Sequence, residues 1–237
     1  MRFVCASRTH VGLRRALNED RVLDRAECGF WVVADGMGGH DAGEVASAAV
    51  VEALAQIPAQ ADLETLAGSA LEALQEVNSS LIELAKSGLP RRTIGTTVVG
   101  LAIADGEFRC FWAGDSRTYR VRGETITQLT RDHSLVHELV VAGMLAAEDA
   151  ESHPDAHVVT RAVGASSELK VDVVAGDALP GDIFLLASDG LTRVVRDSEL
   201  LNELRTRNPM QAADSLLEQV LSRGAPDNVS IVICRIA

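Results

Sequence analysis

Phe30-Trp31-Val32-Val33-Ala34-Asp35-Gly36-Met37-Gly38-Gly39-His40-Asp41-Ala42-Gly43 carries an apolar run into an aspartate and then into a glycine-rich turn. Consecutive apolar residues ended by a turn signal read as a buried strand. Asp-Gly after a strand is ordinarily a hairpin turn, but a hairpin needs a second strand directly behind it. Here a helical stretch follows instead, from Gly43 to Leu54. The pattern of apolar strand, small residue and aspartate recurs in Phe111-Trp112-Ala113-Gly114-Asp115-Ser116 and in Leu185-Leu186-Ala187-Ser188-Asp189-Gly190. A fourth acid opens the last strand, in Pro226-Asp227-Asn228-Val229-Ser230-Ile231.

Working outward, further strands are predicted over Thr96 to Ala104, Phe108 to Ala113, Arg117 to Val121, Thr125 to Leu129, Leu169 to Val174, Asp182 to Ala187 and Val229 to Ile233. Asp105-Gly106 has the φ > 0 preference of a type I′ hairpin, and Gly123-Glu124 and Pro180-Gly181-Asp182 are further turn signals. Such short connections favour antiparallel sheets over βαβ crossovers. Leu63, Leu66, Ala67, Ala70, Leu71, Leu74, Val77, Leu81 and Leu84 recur at helical spacing, predicting a helix from about Asp62 to Lys86 that Gly88-Leu89-Pro90 ends. Met210 to Ser222 is another helix, marked by Asn208-Pro209, and a further one starts near Asp197. Residues 131–167 differ in character and are expected to form an inserted lobe within one domain spanning 1–237.

The chain has 237 residues, of which 47% are hydrophobic and 24% charged, with a formal charge of −12. That composition excludes a disordered chain and is enough for a full core. The acidic balance argues against nucleic acid, which calls for a basic face. No apolar run is long enough to span a bilayer, so no membrane insertion is expected. Four scattered cysteines form no C-x-x-C pair and fit a reducing compartment; the expected location is cytoplasmic and the expected state monomeric.

In antiparallel sheets the end of one strand lies beside the start of its neighbour, so Asp35, Asp115, Asp189 and Asp227 can converge at one end of the sheets. Each aspartate alone is a common turn residue; the convergence is what points to chemistry. Like charges in one cleft repel, and a divalent cation relieves them. A ligand set of oxygens without Cys or His suits Mg²⁺ or Mn²⁺. Two such ions generate a nucleophile from water and clamp a phosphoryl group. Arg15 is the candidate phosphate grip, because a guanidinium holds phosphate oxygens bidentately. The glycine-rich segment fails as a nucleotide loop: Asp41 stands where the dinucleotide fingerprint needs its third glycine, and no Gly-Lys-Ser/Thr follows.

These residues resemble the metal-dependent serine/threonine protein phosphatases of type 2C, in their compact bacterial form. The matching motifs run in order along the chain: Arg15-x-x-Asn18-Glu19-Asp20, Ala34-Asp35-Gly36-Met37-Gly38-Gly39-His40, Gly95-Thr96-Thr97, Ala113-Gly114-Asp115-Ser116-Arg117, Leu129-Thr130-Arg131-Asp132-His133-Ser134, Ser188-Asp189-Gly190 and Asp227-Asn228. The resemblance implies an α+β fold, a four-layer α-β-β-α sandwich of two antiparallel sheets flanked by helices, with the 131–167 lobe as a flap. It implies two Mn²⁺ or Mg²⁺ ions. Asp35 would bridge them, Asp189 and Asp227 would hold one, and the Gly36 carbonyl and, through water, Glu19 the other. Asp115 with Asp189 would form a third, weaker site. Asp20 and Asn228 would support the ligands, and Arg15 would bind the substrate phosphate.

The implied reaction is attack on the phosphorus of phosphoserine or phosphothreonine by a metal-bridging hydroxide, without a phosphoenzyme. The implied partners are phosphorylated proteins, the targets of a bacterial Ser/Thr kinase and the kinase itself. The eukaryotic pattern has histidine after Asp-Gly, but here Met37 stands there, so His40 is the candidate acid for the leaving group or a ligand to a bound water; its bland alternative is a helix cap. Arg161 is a candidate flap contact for substrate, or else a local ion-pair partner. His133 and His137 lack the zincin glutamate and read as structural and solvent-facing. His153 and His157 share that spacing across Pro154, which disfavours a helical metal site. An inactive binding module would have lost a ligand such as Asp189 or Asp227, and neither is lost. A hydrolase of small phosphoesters, or of one anti-sigma-factor antagonist, would share the same core residues.

Overall fold

The computed structural model describes residues 1–38, 42–59, 62–87, 94–150 and 152–237. One sheet holds β1 (Phe3–His10), β11 (Val229–Ile236), β10 (Ile183–Ala187), β7 (Arg117–Arg122) and β8 (Thr125–Gln128), in that order. The other holds β2 (Asp20–Arg25), β3 (Phe30–Met37), β5 (Val98–Ala104), β6 (Glu107–Ala113) and β9 (Asp172–Asp177), with the short β4 (Gly95–Thr96) paired to the end of β3. Every pairing within them is antiparallel. The expected α-β-β-α sandwich is the observed fold.

Strand alternation makes the layers. On β3, Phe30, Val32 and Ala34 face α1 (Ala42–Ala55) and α2 (Leu63–Ser87), while Trp31 and Val33 face the other sheet. On β10, Ile183, Leu185 and Ala187 pack under α4 (Asp189–Thr192), α5 (Asp197–Thr206) and α6 (Pro209–Ser222), while Phe184 and Leu186 point between the sheets. There they meet Phe108, Val232 and Cys234 in an apolar centre, and all four cysteines are free thiols. Strands buried on both faces therefore read as unbroken apolar runs, as these do in the sequence.

Several elements match their sequence signals closely. The β5–β6 hairpin turns at Asp105 (φ 52°) and Gly106 (φ 81°), as a type I′ turn requires. On α6, Pro209 takes the first helical position and the Asn208 side chain accepts from Gln211 N at 3.0 Å. The Gly88-Leu89-Pro90 stop signal lies outside the described residues.

Four features correct the sequence reading. β1 and β2 were not foreseen, because both carry alternating polar residues that dilute an apolar run. The stretch predicted as one strand from Thr96 is broken at Thr97, whose backbone N–H turns to the Asp35 carbonyl, at 2.8 Å. The strand expected from Leu169 begins at Asp172, since Leu169 and Val171 pack on the helix side, and Gln75 Nε2 donates to the Leu169 carbonyl at 3.0 Å. His137 does not face solvent: its Nε2 is buried in the wall of a cavity of about 280 Å³ beside α3 (Leu135–Val141), with no hydrogen-bond partner among the described residues.

Candidate active site

Asp35 inherits its direction from the strand. It is two residues beyond Val33 and four beyond Trp31, so alternation turns it between the sheets at the strand's last turn. Its backbone is held on both sides. Its carbonyl accepts from Thr96 Oγ1 at 2.9 Å and from Thr97 N, and its N–H donates to Thr97 Oγ1 at 3.2 Å. Thr97 Oγ1 in turn lies 2.7 Å from Ser116 Oγ, which ties the Asp35 strand end to the Asp115 turn. The Gly95-Thr96-Thr97 motif is thus the brace behind two acids.

Arg15, Glu19, Asp35, Gly36, Asp115, Asp189, Asp227 and Asn228 all line one cavity of about 580 Å³ at the ends of the two sheets. Asn228 staples its rim: its Nδ2 donates to the carbonyls of Val11 and Leu17, at 2.8 and 2.9 Å, and its Oδ1 accepts from Glu19 N at 2.8 Å. Asp227 Oδ1 accepts from Asn228 N, and Oδ2 accepts from Arg15 Nη2 at 2.7 Å. Gly190 lets α4 approach the last strand, because a Cβ there would collide with the Asn228 carbonyl. Gly36 is equally confined: a Cβ would strike the Gly43 carbonyl at the start of α1.

Asp20 sits behind the cavity, paired with Asp35 across β2 and β3. Its Oδ2 accepts from Ser188 Oγ at 2.8 Å, while its buried Oδ1 has no hydrogen-bond partner among the described residues. Burial pushes its carboxyl up to about 7. Asp35 is held well above the usual carboxylate range, first by burial and then by the charges of Asp20, Asp189, Asp115 and Asp227. Asp115 is pushed up to about 7 by burial and Asp189, against the pull of Arg193. Burial also raises Asp189. These acids lower one another's tendency to ionise.

The sequence reading missed two residues. Ser47 on α1 donates from Oγ to the Glu19 carbonyl at 2.5 Å, and no local signal marks it. Arg193 lies over Asp189 and Asp115, and its i, i+4 spacing from Asp189 was the available clue. Arg161 is not a wall of the cavity. It donates to Asp172 Oδ1 at 2.9 Å, the local ion pair offered as the alternative to a substrate contact. The cause is His133, whose Nδ1 accepts from Gly114 N at 3.1 Å and whose Nε2 faces Asp172 Oδ2 at 3.2 Å, drawing Asp172 and Arg161 together behind the Asp115 turn. Burial lowers the His133 pKa, and because Nδ1 accepts the Gly114 N–H, the proton of the neutral ring belongs on Nε2. His40 lies outside the described residues.

A scan against family models matches residues 10–231 to the description "Protein phosphatase 2C". The chain belongs to the protein phosphatase 2C family. It is therefore a protein phosphatase. A serine/threonine phosphatase, stp, of Listeria welshimeri is 35% identical over 207 residues, covering 85% of this chain and 82% of that one. PppA, described as a key regulatory component of T6SS in Pseudomonas aeruginosa, superposes with a TM-score of 0.90 at 42% identity, covering 99% of this phosphatase and 98% of PppA. The catalytic domain of the serine/threonine phosphatase PstP, in complex with two manganese ions, gives a TM-score of 0.89 at 33% identity over 99% of each chain.

The donor set of this phosphatase fits such ions. It is all oxygen and its acids repel one another. No three acidic, His or Cys side chains among the described residues close on one point. Arg15 and Arg193 hold three of the acids instead.

Proposed function

We propose that the chain hydrolyses phosphoserine and phosphothreonine in proteins, and so opposes a Ser/Thr kinase. The observation that carries this reading is the meeting of Asp35, Asp115, Asp189 and Asp227 with Arg15 in one cavity of a protein phosphatase 2C fold. Asp35, Asp189, Asp227, the Gly36 carbonyl and Glu19 would hold two Mn²⁺ or Mg²⁺ ions. When bound, such ions supply water of lowered pKa and charge to offset a phosphoryl group.

The residues of the chain supply the rest. Arg15 has five N–H donors and donates one bond to Asp227, which leaves donors for phosphate oxygens. Anchored on Asp227, it would fix the phosphorus over the acids and offset charge on the equatorial oxygens. Asn228 and Ser47 hold Glu19 through its N–H and its carbonyl. Asp20, backed by Ser188, keeps the base of the site polar. His40 is the proposed proton donor to the departing alkoxide. Residues 131–167 are proposed to act as the flap that contacts the substrate protein, within a single catalytic domain. Likeness to PppA makes the phosphoproteins of a secretion-system kinase the first natural substrates to try.

The test is phosphate release from phosphothreonine and phosphotyrosine peptides. Release from the first alone, lost in EDTA and restored by Mn²⁺, is the expected result. No release in Mn²⁺, or equal release from both peptides, would overturn the reading.

A further inference from the structure

Arg193 follows Asp189 by four residues, so one turn of chain brings its guanidinium back over that acid. Its Nε lies 3.0 Å from Asp189 Oδ2, and its Nη2 donates to Asp115 Oδ2 at 3.0 Å. The same Nη2 lies 3.1 Å from the Ala156 carbonyl, which belongs to the 131–167 lobe. Asp115 is nearly all buried, and among the described residues Arg193 is the hydrogen-bond partner of its carboxylate.

Once ionised, a buried carboxylate in such a place is neutralised either by a divalent ion or by a fixed arginine. Guanidinium suits the second role: it is always charged, planar and more weakly hydrated than an ammonium. Here its fork spans two acids from different strand ends. Mg²⁺ binds oxygen at about 2.1 Å in near-octahedral geometry. An ion shared by Asp115 and Asp189 would therefore need the space that the fork fills, and the two cations would repel.

We propose that Arg193 is a built-in cation that takes the place of a third divalent ion at Asp115 and Asp189, and that it pins the 131–167 lobe to the cleft through the Ala156 carbonyl. The chain then takes two ions, not the three its motifs suggest. This inference rests on the two-ion reading of the site.

Bound Mn²⁺ is counted on the full chain by equilibrium dialysis and elemental analysis at saturating free ion. Two ions per wild-type chain and three per Arg193→Ala chain are expected, with two again when Asp115→Asn is added. Arg193→Gln, which keeps most of the side-chain volume without the charge, serves if the alanine variant does not fold, and should also bind three. A third ion in the wild type that Asp115→Asn removes would overturn the proposal, as would two ions in folded Arg193→Gln. Fewer than two ions in the wild type would overturn the two-ion reading itself, whatever residue stands at 193. Amide hydrogen exchange across 156–160 should quicken in Arg193→Gln; unchanged exchange would remove the pinning role.

Discussion

Asp182 and Asp20 are buried to 2% and 1% exposure at opposite ends of the same sandwich, and their surroundings differ in kind. Asp182 precedes β10 and meets Arg122 as a two-bond fork, at 2.7 and 2.6 Å, while Leu179 N donates to its Oδ2 at 2.9 Å. Asp20 meets Ser188 at the far end of β10, with other carboxylates around it and one oxygen unpaired among the described residues. A buried carboxylate given an arginine and a backbone N–H secures the fold. A group of carboxylates facing one another raises the energy of the native state, and is kept only where something else relieves it.

The contrast is open to attack from both ends. The largest effect belongs to Asp189→Asn, which should lower kcat on a phosphothreonine peptide on the order of a thousandfold. Unfolding in EDTA should show the variant within about 1 kcal/mol of the wild type, since the repulsion removed offsets the Arg193 ion pair lost. At the other end Asp182→Ala should cost about 2 kcal/mol of stability, because it removes the buried acceptor of Arg122 and of Leu179 N, although Arg122 keeps Asp177. The kcat per folded molecule should stay unchanged. Loss of stability beyond about 1 kcal/mol in the first variant, or of turnover in the second, would erase the distinction between the two ends.

A gentler effect concerns pH. Asp20 and Asp115 hold their protons up to about 7 in the native chain but release them near 4 when unfolded. Between those values the native state binds more protons, so metal-free stability should fall as pH rises from 4 to 7. The slope is at most about 1.4 kcal/mol per pH unit for each group. Denaturant unfolding in EDTA across that range would show it, and Asp20→Asn should flatten it.

Much of this arrangement is legible in the sequence because strand alternation is rigid. Once Trp31 and Val33 are read as one buried face, Asp35 has only one direction in which to point. The glycines at 36 and 190 mark places where two backbones meet, and the structure uses them so. What stays hidden depends on contacts between distant segments. β1 and β2 are edge strands whose polar residues suit a solvated face, so no apolar run announces them. Ser47 and Glu19 meet only because α1 crosses the end of β2. His137 reads as a surface histidine until α3 and its neighbours enclose its ring nitrogen.

The account stands on the claim that the repulsion Arg15 and Arg193 leave among Asp20, Asp35, Asp115, Asp189 and Asp227 is relieved by two hard cations. The direct measurement is the unfolding free energy of the wild type and of Asp35→Asn, each in EDTA and in Mn²⁺ at neutral pH. The wild type should gain at least about 2.7 kcal/mol at a free ion concentration one hundred times Kd, and Asp35→Asn should gain almost none. An equal gain in both proteins, or none in the wild type, would contradict it.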